Sequence, residues 1–329
     1  MTGGAGFLGG AIARWLHERG WDVTIMARSA RPAGASFARR YVQGDVRNRN
    51  AVERACEGLD AVFHVAAKTG IWGPRREFFS VNVEGTRNVI AACRAGSVPK
   101  LIHTSSPSVV FGEGDLCGVD ESQPYPTRFL AAYPESKCLA ERMVIAANGP
   151  ELCTIALRPH LIWGVGDPHL VPRIVARARA GKLRRVGDGT NMVDLTHVEN
   201  AAHAHVLAAE ALSPGSPCAG SAYFISDGSP VNLWGWIGDL LEGVGVPFQP
   251  RSISFESAYR IGRAMEALYR VFGTGREPPM TRFLAHSLAR SHYFNISAAR
   301  RDLGYIPCTD PSSALSTYLD SIRTTARSA

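Results

Sequence analysis

Between residues 6 and 150 short apolar runs alternate with helical stretches, each pair filling about one strand–helix–strand unit. A parallel sheet with helical crossovers is the arrangement that accommodates this rhythm, because parallel neighbours need a long connection. The spacing predicts strands at 23–27, 40–42, 61–65, 101–105 and 153–158, and helices at 7–19, 50–57, 77–95 and 129–148. The fold class expected is α/β, a doubly wound parallel sheet. Beyond residue 158 the rhythm breaks into Gly- and Pro-rich turns, followed by a helix near 198–212, a short strand at 222–225 and a mainly helical tail. The expected division is a nucleotide-binding unit over 1–165, to which 190–225 returns, and a smaller substrate-binding lobe from 166–189 and 226–329.

The chain has 329 residues, 45% of them hydrophobic and 20% charged. That excludes disorder, collagen and coiled coil, and it suffices to bury roughly three quarters of the unfolded surface. Cysteines at 56, 93, 117, 138, 153, 218 and 308 stand singly with no C-x-x-C. Neither a disulfide framework nor a metal site is expected, and a reducing cytoplasm is. No apolar run reaches 18 residues and no signal peptide is visible. The formal charge is +7, yet only four of 36 basic residues are Lys, at 68, 100, 137 and 182. The excess lies mostly after residue 250, without the basic–aromatic clustering of a nucleic-acid surface, so no nucleic-acid partner is expected. Within 255–272 an apolar stripe (Phe255, Ala258/Tyr259, Gly262, Met265, Leu268/Tyr269, Phe272) opposes Arg260, Arg263, Glu266 and Arg270. Packing on the second lobe, a lid over an apolar substrate, or at most a peripheral membrane contact would each use such a helix.

The chain opens Thr2-Gly3-Gly4-Ala5-Gly6-Phe7-Leu8-Gly9, with glycines at 3, 6 and 9 just before a helix. A tight turn and close backbone approach there let a pyrophosphate sit against free amide N–H groups, as in a Rossmann-type loop. Such a loop follows a strand, and here only Met1 precedes it. The expectation is that Met1 is a misplaced initiation and that the central strand belongs before it. After the second strand, Ala27-Arg28-Ser29 with Arg31 nearby puts cations where an acid would bind ribose hydroxyls, which favours NADP(H) and leaves NAD(H) open. Tyr133-x-x-x-Lys137 places a phenol and an ammonium one helical turn apart. The cation is expected to lower the phenol pKa, suiting it to exchange a proton with a carbonyl oxygen. Thr104-Ser105-Ser106 ends a strand where hydroxyls face a ligand crevice; no G-x-S-x-G elbow accompanies them, which excludes a hydrolase.

Thr2 to Gly9, Gly44-Asp45-Val46, Val65-Ala66-Ala67, Asn82-Val83-Glu84-Gly85-Thr86, Thr104 to Ser106, Tyr133-x-x-x-Lys137 and Arg158-Pro159 together resemble the extended short-chain dehydrogenase/reductase superfamily. The stretches 157–164, 167–172, 191–194, 197–201 and 279–283, with Arg300 to Tyr305, resemble its 3β-hydroxysteroid dehydrogenase branch. Within that branch 66–73 and 254–261 are most similar to the bacterial 2-alkyl-3-oxoalkanoate reductases of long-chain olefin biosynthesis, with sterol-4-carboxylate 3-dehydrogenases next. The resemblance implies Tyr133 as acid/base, Lys137 on the nicotinamide ribose and Ser106 on the substrate carbonyl. Counting back from Gly112 would select Pro107 instead of Ser106, but Pro cannot donate. It further implies Thr2, Gly3, Gly6, Phe7, Leu8, Gly9, Arg28, Asp45, Val46, Ala66, Ala67, Lys68, Thr104 and Pro159 along the cofactor, and Trp72 and His160 beside a lipid-like substrate. A homodimer through helices like 77–95 and 129–148 is also implied. A sugar-nucleotide epimerase and a catalytically idle NADP-binding regulator remain as alternatives on the same core.

Overall fold

The computed structural model describes residues 1–30, 37–273 and 275–327; Arg31, weighed above beside Arg28, lies outside them. The central sheet is parallel throughout. Its order is Arg40–Gln43, Thr24–Ala27, the Thr2 position, Val62–His64, Lys100–Thr104, Cys153–Pro159 and Ser221–Ile225. Thr2 fills the centre by bridging Met26 on one side and His64 on the other. Its N–H donates to Phe63 O at 2.9 Å, while Gly3 N–H reaches Met26 O at 3.0 Å. Strand order reverses between Thr2 and Val62–His64, so the crevice beyond their carboxyl ends is where an open α/β sheet binds its ligand.

Helices cover both faces. Phe7–Glu18 and Val198–Ala211 share one core with Ile25, Ile102, Ile155 and Leu157. Arg49–Cys56, Gly85–Ala95 and Ala132–Ala146 share the other with Val62, Leu101 and Leu152. Cys153–Pro159 is buried at every residue because both its faces are covered, so its apolar residues do not alternate with exposed ones, and its one charge, Arg158, is paired with Glu141. The helix expected over 77–95 is interrupted: Arg75–Phe78 leads into one wide turn, Phe79–Glu84, before Gly85–Ala95. Such π-type turns frequently mark functional sites. The helix expected from 129 begins at Ala132.

The remainder is mainly helical, with Leu170–Arg179, Leu233–Gly243, Phe255–Phe272, Arg282–Ala289, Ser297–Leu303 and Pro311–Arg327. It also carries a four-stranded sheet ordered Val231–Asn232, Met192–Val193, His292–Phe294, Leu116–Val119. Its core gathers Trp163, Val193, Leu233, Trp236, Leu240 and Tyr318. The stripe read along 255–272 is corrected: Ala258, Gly262 and Glu266 face inward, while Leu268 and Phe272 are exposed. A Cβ on Gly262 would lie 2.6 Å from the Thr281 carbonyl carbon, so only glycine lets the helix approach that closely. Glu266 turns in because Arg282 meets it with its backbone N–H at 2.8 Å and its guanidinium at 2.8 and 3.0 Å.

Candidate active site

The glycine loop forms a cradle that side chains would fill. A Cβ on Gly3, whose φ is +71°, would lie 2.7 Å from Ala66 N, and one on Gly9 would lie 2.2 Å from Gly3 O. Gly6 caps Phe7–Glu18 with no side-chain hydrogen bond, which leaves the first helical N–H groups to face an anion. Phe7 is half-buried at this start, and Leu8 points into the core at 7% exposure. This loop fits a dinucleotide pyrophosphate.

Arg28 is exposed just past Thr24–Ala27, its carbonyl accepting from Gln43 Nε2 at 3.1 Å. Asp45 is held by Arg47 through the backbone N–H and two guanidinium contacts of 2.7–3.0 Å, which keep its carboxyl below the usual range. Val46 is buried beneath Gly85, where a Cβ would come within 2.7 Å of its Cγ2. Ala66, Ala67 and Lys68 follow Val62–His64. Asn82, in the wide turn, takes the Lys68 N–H at 2.7 Å and donates to the Lys68 carbonyl at 3.0 Å. The Lys68 ammonium pairs with Glu77 at 2.8 Å.

A buried chain of hydrogen bonds joins this loop to the next helix, and its directions follow from donor counting. Thr86 Oγ1 donates to Asn82 O at 2.6 Å, so it accepts from His64 Nε2 at 2.9 Å. His64 Nδ1 therefore accepts from Thr2 Oγ1 at 2.8 Å, and Thr2 Oγ1 in turn accepts from Ala66 N at 3.3 Å. Burial holds His64 neutral, its pKa lowered to about 3. Asn82 Nδ2 also donates to Ser136 Oγ at 2.9 Å, and Ser136 donates to Tyr133 O at 2.8 Å.

Tyr133 and Lys137 share one face of Ala132–Ala146. Ser106 follows Lys100–Thr104 and caps the short turn Pro107–Val110, its hydroxyl 2.9 Å from Ser108 Oγ. Burial raises the Tyr133 pKa, and the Ser106 hydroxyl facing the phenol opposes the shift. The lowering expected from the Tyr–Lys spacing is thus overturned. The Lys137 ammonium is directed elsewhere, to Thr104 O at 2.5 Å and His103 Nε2 at 3.2 Å. Its own pKa falls to about 8 through burial, with Glu141 pulling it back up.

Glu141, one turn beyond Lys137, was missed by the sequence reading although the 133/137/141 spacing marks it. It accepts Arg158 Nε at 2.9 Å, Arg158 Nη2 at 2.7 Å and Tyr125 OH at 2.8 Å, tying the helix to the sheet. His64 and Asn82 were likewise missed as linking residues. Thr104 Oγ1 lies 2.8 Å from His205 Nε2, beneath the crevice. Pro159 is buried in register with Ile225. Trp72 is half-buried, edge-on to Tyr269 at 6.5 Å and covered by Arg270 at 5.4 Å. Among the described residues no hydrogen bond or ring contact joins His160 to Ser106, Tyr133 or Lys137. His160 bonds His292 Nδ1 at 2.7 Å among Phe111 and Phe294, and burial pushes its pKa far down.

Residues 1–256 match the 3-beta hydroxysteroid dehydrogenase/isomerase family. The chain is 49% identical over 312 residues to the 2-alkyl-3-oxoalkanoate reductase of Stenotrophomonas maltophilia (strain K279a), covering 93% of this chain and 94% of that protein. It is 35% identical to the 3-beta-hydroxysteroid dehydrogenase of Mycolicibacterium neoaurum, covering 97% and 89%. The solved complex of MoeE5 with UDP-glucose and NAD superposes with a TM-score of 0.75 at 25% identity, covering 99% and 98%. With a glycine cradle that fits a dinucleotide and a Tyr–Lys pair beside it, the chain belongs to the 3-beta hydroxysteroid dehydrogenase/isomerase family of NAD(P)-dependent oxidoreductases acting on hydroxyl and keto groups.

Proposed function

We propose that this enzyme is an NADP(H)-linked reductase that converts a 2-alkyl-3-oxoalkanoate into the 2-alkyl-3-hydroxyalkanoate. The observation that carries the reading is the meeting of the Ser106 hydroxyl and the Tyr133 phenol over a buried Lys137, on a chain 49% identical to a protein of that activity. Gly3, Gly6 and Gly9 with the first turn of Phe7–Glu18 would hold the pyrophosphate, Asp45 and Val46 the adenine, and Arg28 a 2′-phosphate. Ala66, Ala67, Lys68, Thr104 and Pro159 would line the crevice between them. When bound, the nicotinamide supplies the hydride. Ser106 donates a hydrogen bond to the substrate carbonyl and orients it. Tyr133 releases its phenolic proton to that oxygen as charge develops there. A phenol raised above its ordinary value stays protonated at neutral pH, the form reduction requires. Lys137 lies within the same buried face to hold the nicotinamide ribose.

We further infer a nucleotide unit over 1–165 and 190–225, with a substrate lobe from 166–189 and 226–329. Trp72 and Tyr269 would border the acyl chain, and His160 would act from behind as packing. Seven free thiols support a reducing cytoplasm. Among the described residues no helix is long and apolar enough to cross a membrane. Exposed Ile261, Leu268, Val271 and Phe272 beside Arg260, Arg263 and Arg270 support at most a peripheral lipid contact. A homodimer through the Gly85–Ala95 and Ala132–Ala146 helices belongs to the same reading. The 35% identity to a 3-beta-hydroxysteroid dehydrogenase favours a second reading, oxidation or reduction at a sterol C3. Consumption of NADPH and of NADH should be followed with a synthetic 2-alkyl-3-oxo acid and a 3-oxosteroid in parallel. Rapid NADPH loss with the oxo acid alone is the expected result. Turnover with the steroid alone replaces the first reading by the second, and cofactor binding without turnover on either defeats both.

A further inference from the structure

His103 is 1% exposed and stands directly under the catalytic helix, yet the proposed reaction gives it no task. Its neighbours fix its chemistry. Lys137 has three ammonium protons and no lone pair, so the imidazole nitrogen 3.2 Å away, Nε2, has to be the acceptor. His103 is therefore the neutral tautomer with its proton on Nδ1. Burial and the charge on Lys137 both oppose a second proton. Nδ1 is buried with no hydrogen-bond partner among the described residues. An unpaired buried N–H is a cost that an apolar side chain in the same space would avoid. The compensating contact is the one with Lys137.

The second Lys137 proton goes to Thr104 O at 2.5 Å. Thr104 is itself held by another buried histidine, His205. His205 Nδ1 must donate to Ala201 O at 2.7 Å, so its Nε2 accepts from Thr104 Oγ1. Two of the three ammonium protons are thus directed into the sheet by groups that cannot turn. The third N–H alone remains to point out of it.

We propose that His103 is a positioning residue: as a neutral acceptor it fixes the rotation of the Lys137 ammonium, so that a single N–H is presented toward the bound dinucleotide. This rests on the reading of Lys137 as a cofactor contact, and the experiment separates the two. Titration of NADPH into the full chain is compared for wild type, His103→Leu, His103→Gln, Lys137→Met and the Lys137→Met/His103→Leu double variant. Gln carries an uncharged acceptor at the reach of Nε2. Loss of one hydrogen bond predicts about tenfold weaker binding in His103→Leu. Gln should recover most of it, and His103→Leu should add nothing in the Lys137→Met background. If the leucine variant does not fold, His103→Asn, too short to reach the ammonium, takes its place. Equal weakening with and without Lys137, or glutamine no better than leucine, overturns the proposal. Imidazole ¹⁵N NMR of the unliganded protein gives an independent reading. A neutral Nδ1–H ring near pH 7 supports the assignment; an Nε2–H or doubly protonated ring refutes it, whatever the enzyme's substrate is.

Discussion

Lys137 should make the protein less stable at neutral pH than at alkaline pH, and the size of the effect follows from its burial. Its ordinary pKa of 10.5 is lowered to about 8 in the folded chain, with burial as the main cause. The unfolded chain therefore binds one more proton than the folded chain between those two values. Stability contributed by this group rises as pH climbs through that window and is lowest below it. A difference of about 2.5 pKa units corresponds to about 3 kcal/mol. For a chain of this length the unfolding entropy is about 0.7 kcal/mol per degree, so the effect amounts to about 4–5 °C. Lys137→Met removes the charge but leaves Thr104 O and His103 Nε2 without their donor, at about 1 kcal/mol each. The variant should melt slightly above wild type at pH 7 and below it at pH 10. Scanning calorimetry of the pair at both pH values reads the change in the gap directly, because every other titration is common to the two proteins. A gap that stays the same from pH 7 to pH 10 refutes the reasoning.

Glu141→Gln turns one acceptor of the buried Arg158 guanidinium into a donor, which should cost about 3–5 kcal/mol. That is about 4–7 °C in a thermal melt, and a variant melting with wild type would contradict the ion-pair account. Arg28→Ala should raise KM for NADPH about 10–100-fold and leave KM for NADH alone; equal effects on both cofactors would remove Arg28 from 2′-phosphate recognition. Tyr133→Phe should lower kcat about 10²–10⁴-fold while NADPH affinity holds. Wild-type turnover by that variant would sink the acid role.

The parts legible in the sequence are those where one residue type alone satisfies the geometry, or where burial on both faces leaves a continuous signal. The strand expected at 153–158 is found over Cys153–Pro159, legible because every residue there is covered. The glycines at 3 and 9 read as a phosphate loop because any Cβ there meets backbone. Strands of two to four residues in the second sheet were invisible, since Leu116–Val119 and His292–Phe294 are too short to show a period and find each other across the chain. Glu266 was read as solvent-facing from its charge, and the distant Arg282, which holds it by three contacts against one from Arg270, turns it inward. Spacing brought Tyr133 and Lys137 to one helix face but could not say where the ammonium points. The answer lies in His103 and Thr104, on a strand more than thirty residues earlier.

The two sides of the crevice are built from different chemistry, and that difference has a functional consequence. On the side proposed for the cofactor, one unbroken run of hydrogen bonds passes from Ala66 through Thr2, His64, Thr86, Asn82 and Ser136 to the Tyr133 carbonyl. Thr2, His64, Thr86, Asn82 and Ser136 are each at most 3% exposed. Every donor in that run has a determined direction, so the glycine loop and the Ala132–Ala146 helix cannot shift independently without orphaning a buried group. Where the proposed function places the acyl chain, Trp72 meets Tyr269 and Arg270 through ring contacts at a half-open surface. Such contacts tolerate replacement at small cost. Under the proposed function, a chain organised this way would hold hydride-transfer geometry constant while the shape of the substrate site varies. Substitutions at Trp72 or Tyr269 should therefore change which ketone is accepted, whereas substitutions at His64 or Asn82 should impair every substrate alike.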